Sequence, residues 1–144
     1  MPNRQIRDVI KNQIILTMAP SATVLNAARE MKQRRVGAVM IVEAGKLTGI
    51  FTERDALFRV LAEGINPETT PLSAVMTANP TTITPERKLS HALHIMYDGG
   101  FRHMPVTEAG TPLGMVSIRD ALGSELSNFE REVAAKADLS EILG

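Results

Sequence analysis

The sequence contains no cysteine and no tryptophan, and its aromatic residues are four phenylalanines and one tyrosine. Without cysteine there can be no disulfide framework, no thiolate metal site and no cysteine nucleophile. Because aromatic side chains are so few, a planar ligand would have to lie between aliphatic walls. The same scarcity leaves little material for the stacking platforms that hold single-stranded nucleic acids.

An excess of charge of either sign is also missing, since sixteen Lys and Arg balance sixteen Asp and Glu. This balance argues against a nucleic-acid binder that works through a broad positive field. The longest apolar run, residues 38–42, is far shorter than a membrane span, and the N-terminus lacks the apolar stretch of a secretion signal. We therefore expect a soluble, cytoplasmic protein with neither nucleic acid nor membrane as a partner.

The chain carries an internal repeat. Residues 20–57 align with residues 85–122 at an offset of 65 without a gap, and eleven of the 38 aligned positions are identical. Such agreement in an ungapped alignment indicates two copies of one unit. A single unit of roughly 60 residues is only marginally stable alone, because it buries little surface, whereas two copies can bury each other's sheet faces.

Each copy predicts the order β-α-β-β-α. Entry strands are expected at residues 14–17 and 81–84, first helices from the spacing of apolar residues, and hairpin strands at 38–42 with 47–51 and at 104–107 with 113–116. Arg34-Arg35 and Gly99-Gly100 would end the first helices, and the second helices would begin at Thr52 and Ser117. Short lead-in helices are expected at 6–10 and 72–76. The division is a first repeat with its lead-in helix (1–62), a linker (63–71), a second repeat (72–125) and a helical tail (126–144).

The segments GIFTERD (49–55) and GMVSIRD (114–120), with Gly37-Ala38-Val39 and FRHMPV (101–106) in register before them, resemble the cystathionine-β-synthase (CBS) domain family. The resemblance covers all but the tail and is that of a stand-alone tandem pair, a Bateman module. It implies an α/β (α+β) fold of two pseudo-symmetric repeats packed sheet to sheet. It also implies a regulatory sensor that binds an adenosine-containing ligand (AMP, ADP, ATP, NAD or S-adenosylmethionine) between the repeats. Such pairs form homodimers and pass their signal to an effector protein.

The candidate binding residues centre on Asp55 and Asp120. A carboxylate can accept two hydrogen bonds from the vicinal hydroxyls of a ribose. Thr52 and Ser117, three residues earlier, would lie at helix N-termini, where backbone N–H groups favour a phosphate. The same spacing is close to a capping box, so capping and ligand contact stay open together. The adjacent arginines, Arg54 and Arg119, could be phosphate partners, solvated surface charges or partners of the adjacent acid.

The two copies differ where Gly37-Ala38 is replaced by Arg102-His103. Small residues admit a close backbone approach, whereas the second pair brings a fixed and a titratable charge toward the cleft. We expect inequivalent pockets, with the one around Asp120 the better site for a phosphorylated ligand; a packed core role for His103 is the alternative. Arg34-Arg35 read as helix C-terminal charges. The adenine would lie against apolar residues of the entry and middle strands. The candidates there are Ile15, Val39, Ile83 and Pro105, with Thr17 and Thr82 beside them.

Nothing in the sequence indicates catalysis, because it contains no nucleophile elbow, HExxH zinc motif or phosphate-binding loop. We therefore predict no catalytic residue, catalytic cofactor or enzymatic activity. His91 and His94 fall off the apolar face of the second copy's first helix, and we interpret them as exposed residues, not metal ligands. The leading alternative function is a ligand-free dimerisation or protein-interaction scaffold. A nucleic-acid-binding adaptor ranks third, because the net charge is zero.

Overall fold

The first repeat contains a hairpin flanked by helices in a computed structural model that describes residues 4–121 and 123–143. A lead-in helix, α1, and a short strand, β1, precede helix α2. Helix α3 continues directly into one π-helical segment. The bounds are α1 Ile6–Ile10, β1 Thr17–Met18, α2 Val24–Arg34, β2 Ala38–Glu43, β3 Lys46–Thr52, α3 Glu53–Asp55 and the π-helical segment Ala56–Leu61.

The second repeat follows the same order from a 3₁₀ turn at Leu72–Ala74. Its remaining elements are β4 Thr77–Ala78, α4 Leu89–Gly99, β5 His103–Glu108, β6 Thr111–Ser117, a 3₁₀ turn Ile118–Asp120 and α5 Gly123–Leu143. In the first sheet the strand order is β1-β2-β3-β4, while β5 and β6 form a two-stranded sheet. The expected mixed α and β fold of two repeats is confirmed.

The repeat is visible in the strand register. Met18 pairs in parallel with Ile41, and Ile83 pairs in parallel with Val106, both shifted by the offset of 65. The hairpins agree too, with Ala38 opposite Thr52 and His103 opposite Ser117. Each Glu-Ala-Gly turn has two consecutive residues at positive φ, 51° and 76° in the first hairpin and 52° and 82° in the second. Such turns match the right-handed twist of the strands that they join.

Each hydrophobic core is completed by the segment that precedes the other repeat. Ile6 and Ile10 of α1 pack into the second repeat's core, and Leu72 and Val75 pack into the first repeat's core. Backbone hydrogen bonds fix both exchanges: Ile6 N–H donates to the carbonyl of Arg87 at 2.9 Å, and Leu72 N–H donates to that of Ala22 at 2.8 Å. The expected lead-in segments therefore exist, but each completes the core of the repeat that does not follow it.

The two sheets face each other between these cores. Val39, Ile41 and Phe51 point into the first core, so their strand neighbours Met40 and Ile50 point the opposite way, and these are buried as well. The β3 strand contacts β6 across this interface, and Leu47 N–H donates to the carbonyl of Gly110 at 2.9 Å. This arrangement places the ends of β3 and β6 at the junction between the repeats.

The end of β6 departs from the expectation that a helix begins at Ser117. Only the 3₁₀ turn Ile118–Asp120 follows, because Ala121 is extended (φ −69°, ψ 131°) and interrupts the helical path. The tail helix α5 begins at Gly123, three residues before the expected boundary at 126. Its Phe129 is buried and meets the ring of Tyr97 on α4 edge to face, with ring centroids 5.8 Å apart.

A side chain takes the place of a strand at the edge of β6. At the edge of the first sheet β4 of the second repeat pairs with β3, placing Thr77 opposite Ile50. In the second repeat the Gln13 side-chain amide bonds both backbone groups of Met115, the counterpart of Ile50. Its Nε2 donates to the carbonyl at 2.7 Å, and its Oε1 accepts from the N–H at 2.9 Å. An amide side chain can do this because it carries the same donor and acceptor as a peptide group.

The packing of α1 in the second core predicts which elements a mutation in α1 destabilises. Ile6→Ala removes a fully buried side chain and should lower the free energy of unfolding by about 2 to 5 kcal/mol. Native-state hydrogen exchange should show the loss of protection in α4, β5 and β6, because Ile6 packs there. The matched control is Ile14→Ala, whose side chain is 87% exposed and should leave stability nearly unchanged. Loss of protection confined to α2 and β2 would contradict the exchange.

Candidate functional site

Two cavities lie between the repeats, and each is built from both of them. The first, which we call the Asp55 cavity, has a volume of about 470 Å³ and combines residues 52–55 with residues 100–103. The second, the Asp120 cavity, has a volume of about 580 Å³ and combines Ser117, Arg119 and Asp120 with residues 34–38. In the Asp55 cavity the β3–α3 junction of the first repeat faces the start of β5 in the second. In the Asp120 cavity the end of β6 in the second repeat faces the end of α2 and the start of β2 in the first.

Most of the predicted site residues line these cavities. The Asp55 cavity contains Thr52, Arg54, Asp55, Arg102 and His103. The Asp120 cavity contains Ile15, Gly37, Ala38, His103, Ser117, Arg119 and Asp120. The crossed construction corrects one expectation, since Arg102 belongs to the same repeat as Asp120 but lines the cavity of Asp55. The charge of Arg102 therefore gives no reason to expect a phosphate in the Asp120 cavity, and that part of the prediction is wrong.

Five predicted residues lie outside both cavities. Val39 is buried in the first core and Ile83 in the second, because alternate residues of a strand face opposite sides. Pro105 is buried as well, whereas Thr17 and Thr82 are exposed. The apolar walls come instead from neighbouring positions. These are Ile50, Phe58, Pro80 and Phe101 in the Asp55 cavity, and Ile14, Leu16, Val36, Met40 and Met115 in the Asp120 cavity.

Six arginines line the two cavities, and three of them, Arg54, Arg102 and Arg119, were among the candidates. Arg34 and Arg35 line the Asp120 cavity as well as ending α2, and Arg59 lines the Asp55 cavity. A signal for Arg34 and Arg35 was present in the repeat, because their counterparts are Gly99 and Gly100. Glycines are sufficient to end the helix in the second repeat, so the two arginines at the same place in the first repeat indicate a further role for their charge.

Both aspartates form capping boxes. Asp55 Oδ2 accepts from Thr52 N–H at 2.9 Å, and Asp55 N–H donates to Thr52 Oγ1 at 3.3 Å. In the second repeat Asp120 Oδ2 accepts from Ser117 N–H at 2.7 Å. The capping interpretation is confirmed for both copies, and it fixes the position of each carboxylate at its cavity wall.

Capping leaves the second carboxylate oxygen of each aspartate for other partners. Asp55 Oδ1 lies 3.5 Å from Arg59 Nε. Asp120 Oδ1 accepts no hydrogen bond from any residue in the described ranges 4–121 and 123–143. Since a carboxylate offers about four acceptor positions, each aspartate can cap its turn and still accept from a ligand's hydroxyl groups.

His103 lies in the wall that the two cavities share. Burial lowers the pKa of its imidazole below the ordinary value of 6.5, and the charges of Arg102 and Arg119 lower it further. Glu53 and Asp120 oppose this shift and raise the pKa. His103 is therefore neutral at neutral pH.

Gly37 is the residue that leaves room for this imidazole. A Cβ at position 37 would lie 3.2 Å from His103 Nε2 and 3.1 Å from Glu53 Oε1, which is tighter than most such contacts. Gly37 also accepts, through its carbonyl, a hydrogen bond from Glu53 N–H at 3.0 Å. Gly37 therefore lies against a histidine of the other repeat, and the close approach of its backbone to a ligand's base stays a prediction.

His91 and His94 lie on α4, away from both cavities. His91 is exposed and contacts Arg87 at 2.7 Å, while His94 pairs with Glu132 of α5 and packs against the Phe129 ring. His94 thus has a structural contact that its sequence position did not indicate. Within residues 4–121 and 123–143 no group of three or more His, Asp or Glu side chains is arranged to hold a metal ion, and no helix there has the length and apolar character to cross a bilayer.

Comparison with known proteins identifies two copies of one domain. The family model for the CBS domain matches residues 6–62 and 72–126. The CBS domain-containing protein CBSCBSPB2 of Arabidopsis thaliana is 40% identical over 117 residues, which are 81% of this chain and 22% of that protein. The chain thus spans about a fifth of the first curated relatives that it matches. The CBS domain-containing protein YhcV of Bacillus subtilis is 32% identical over 123 residues, 85% of this chain and 86% of YhcV.

Solved structures agree on the architecture. A protein from Burkholderia ambifaria described as a signal-transduction protein with CBS domains superimposes with a TM-score of 0.76 at 25% identity, covering 81% of this chain and 90% of that one. A CBS domain protein of Pyrobaculum aerophilum, complexed with AMP, gives a TM-score of 0.78 at 21% identity, covering 89% of this chain and 99% of that one. The latter likeness bears on the fold alone.

The lowered pKa of His103 predicts a pH dependence of stability. In the unfolded chain this histidine has its ordinary pKa of 6.5, whereas burial in the folded chain lowers its pKa, so the folded state binds the proton less readily. Stability is therefore lost as the pH falls below the ordinary value, by at most about 1.4 kcal/mol per pH unit from this group. Unfolding in urea from about pH 8 to about pH 5 should show a shallower decline for His103→Gln than for the parent. His91→Gln, which removes an exposed histidine outside both cavities, is the control; equal slopes for His103→Gln and the parent would contradict the assignment.

Proposed function

The chain belongs to the CBS domain family, with two CBS domains in tandem, and from this we propose that it is a regulatory module that binds adenosine-containing ligands between its repeats. The observation that carries the proposal is the pair of inter-repeat cavities, each with one capped carboxylate at its wall. A fixed carboxylate is a suitable acceptor for a ribose diol, because both hydroxyl groups can donate to it.

The remaining walls suit the other parts of a nucleoside. In the Asp55 cavity Ile50, Pro80 and Phe101 offer apolar surface to an adenine ring, and in the Asp120 cavity Val36 and Met40 do so. Arginines at each rim can meet a phosphate. The volumes of about 470 and 580 Å³ fall within the range typical of small-molecule sites.

The comparisons support the same class of ligand and role without fixing the compound. One neighbour of the same fold is complexed with AMP, and another is described as a signal-transduction protein. We take AMP as the first probe, with ADP, ATP, NAD and S-adenosylmethionine as further candidates. No enzymatic step is proposed, because the cavities present a diol acceptor and anion-binding arginines but no activated nucleophile.

Ligand binding would act by shifting how the repeats pack. Each cavity has walls from both repeats, so a ligand that contacts both walls favours the packing in which they are correctly spaced. We propose that this shift is passed to an effector protein or across a homodimer. The π-helical segment is the candidate contact surface, because Leu57 is 50% and Leu61 73% exposed there. If the cavities bound nothing, this same surface would favour the second candidate function, a dimerisation scaffold.

The carboxylates provide the direct test of the proposal. Asp55→Asn combined with Asp120→Asn keeps an oxygen that can accept the capping N–H bonds but removes the charge offered to the diol. We expect AMP affinity, measured by isothermal titration calorimetry, to fall at least about tenfold, which corresponds to about 1.4 kcal/mol. Melting temperatures without ligand should change little.

The control removes a helix cap outside both cavities and leaves the diol acceptors. Thr23→Ala should lower stability by about 1 kcal/mol, because its hydroxyl accepts from Asn26 N–H at the start of α2. Its AMP affinity should stay within a few-fold of the parent's. An affinity that is unchanged by the Asn pair, or absent from the parent protein for every probe, would remove the basis of the proposal.

A further inference from the structure

The two cavities differ in their charged side chains. Each is lined by three arginines, but the Asp55 cavity also contains Glu53 and Asp55, whereas Asp120 is the carboxylate that lines the other. The repeat counterpart of Glu53 is Ile118, which packs against the second core. A phosphate in the Asp55 cavity would therefore meet one more carboxylate than a phosphate in the Asp120 cavity.

Two arginines of the Asp55 cavity are already engaged by the protein. Arg59 donates to the carbonyls of Val75 and Met76 at 3.2 and 3.0 Å and also pairs with Asp55. Arg54 donates to the carbonyl of Gly100 at 3.4 Å, and its guanidinium lies 5.4 Å from the centroid of the Phe58 ring. Redirecting either side chain to a ligand would first require these contacts to break.

The arginines of the Asp120 cavity are less engaged by the protein. Across residues 4–121 and 123–143, the side chains of Arg35 and Arg119 make no hydrogen bond and no ion pair. Arg119 is the counterpart of Arg54, but the counterpart of Phe58 is Gly123, so the repeat does not reproduce the Arg54–Phe58 contact at Arg119. Arg34 makes an exposed pair with Glu30 at 3.4 Å, an interaction that water screens strongly.

Arg35 occupies a backbone position that favours glycine. It ends α2 in the left-handed conformation, with φ 55° and ψ 44°, whereas its counterpart Gly100 ends α4 at φ 73°. A residue with a Cβ adopts this conformation at an energetic cost that glycine avoids. Glycine is sufficient to end the helix. Arg35 therefore brings a charged side chain to the Asp120 cavity, whereas its counterpart Gly100 brings none to the Asp55 cavity.

Resting on the proposed function, we propose that the Asp120 cavity takes a ligand with a di- or triphosphate group, held by Arg35 and Arg119. The Asp55 cavity takes adenosine or its monophosphate. Guanidinium groups bind phosphate oxygens in bidentate fashion, and two of them can follow a chain of successive phosphates. The proposal thus assigns ligands of different charge to two sites that arose from one repeated sequence.

The test compares ATP, AMP and inorganic tripolyphosphate as probes in isothermal titration calorimetry, with the full chain at low salt. Arg35→Gly introduces the residue that the other repeat uses, so the fold is expected to persist with an unchanged or higher melting temperature. Arg35→Gly and Arg119→Gln should each weaken ATP and tripolyphosphate binding about tenfold. Neither should change AMP binding at the Asp55 cavity. The matched control is Arg102→Gln, which lines the Asp55 cavity and should leave ATP binding unchanged.

The outcomes separate this inference from the proposed function. If ATP binds and neither Arg35→Gly nor Arg119→Gln weakens it, or if Arg102→Gln weakens it more, the inference is overturned while the function stands. If no adenosine compound binds, the proposed function fails. In that event tripolyphosphate binding that depends on Arg35 and Arg119 would still support a polyphosphate site, and its absence would overturn both.

Discussion

The exchange of lead-in segments is the constraint on which the rest of this structure depends. Ile6 and Ile10 complete the second core, and Leu72 and Val75 complete the first. The chain therefore passes from one core to the other and back, and a domain of this size has little hydrophobic stabilisation to spare. These crossings hold the repeats side by side, so the cavities between them have walls from both.

Chemistry at the cavities follows from the same arrangement. Each capped aspartate comes from one repeat and faces the helix end and strand start of the other. The capping box holds the carboxylate in place through Oδ2, so its structural role and its proposed role use different oxygens. His103, whose counterpart is Ala38, stands in the common wall and is the main departure from two-fold symmetry there.

Local features of the fold were predictable from the sequence, and features that depend on how the repeats dock were not. The repeat offset, the hairpins with their Glu-Ala-Gly turns and the capping spacing are properties of short segments, so the pattern of residues determines them. Val39 and Ile83 were placed at a ligand because an apolar strand residue does not reveal which face of the sheet it occupies. Sequence proximity does not indicate which partner a segment packs against, so Arg102 was assigned to the wrong cavity. For the same reason the packing of α1, part of the first domain, into the second core was not foreseen.

The central claim is that a nucleoside binds between the repeats with its ribose on a capped aspartate. A crystal structure of the chain grown with AMP tests it most directly. The account predicts AMP between the repeats, with both ribose hydroxyl oxygens about 3 Å from the carboxylate of Asp55 or Asp120 and with the capping bond to that carboxylate intact. AMP bound at another surface, or between the repeats with its ribose turned away from both aspartates, would contradict it.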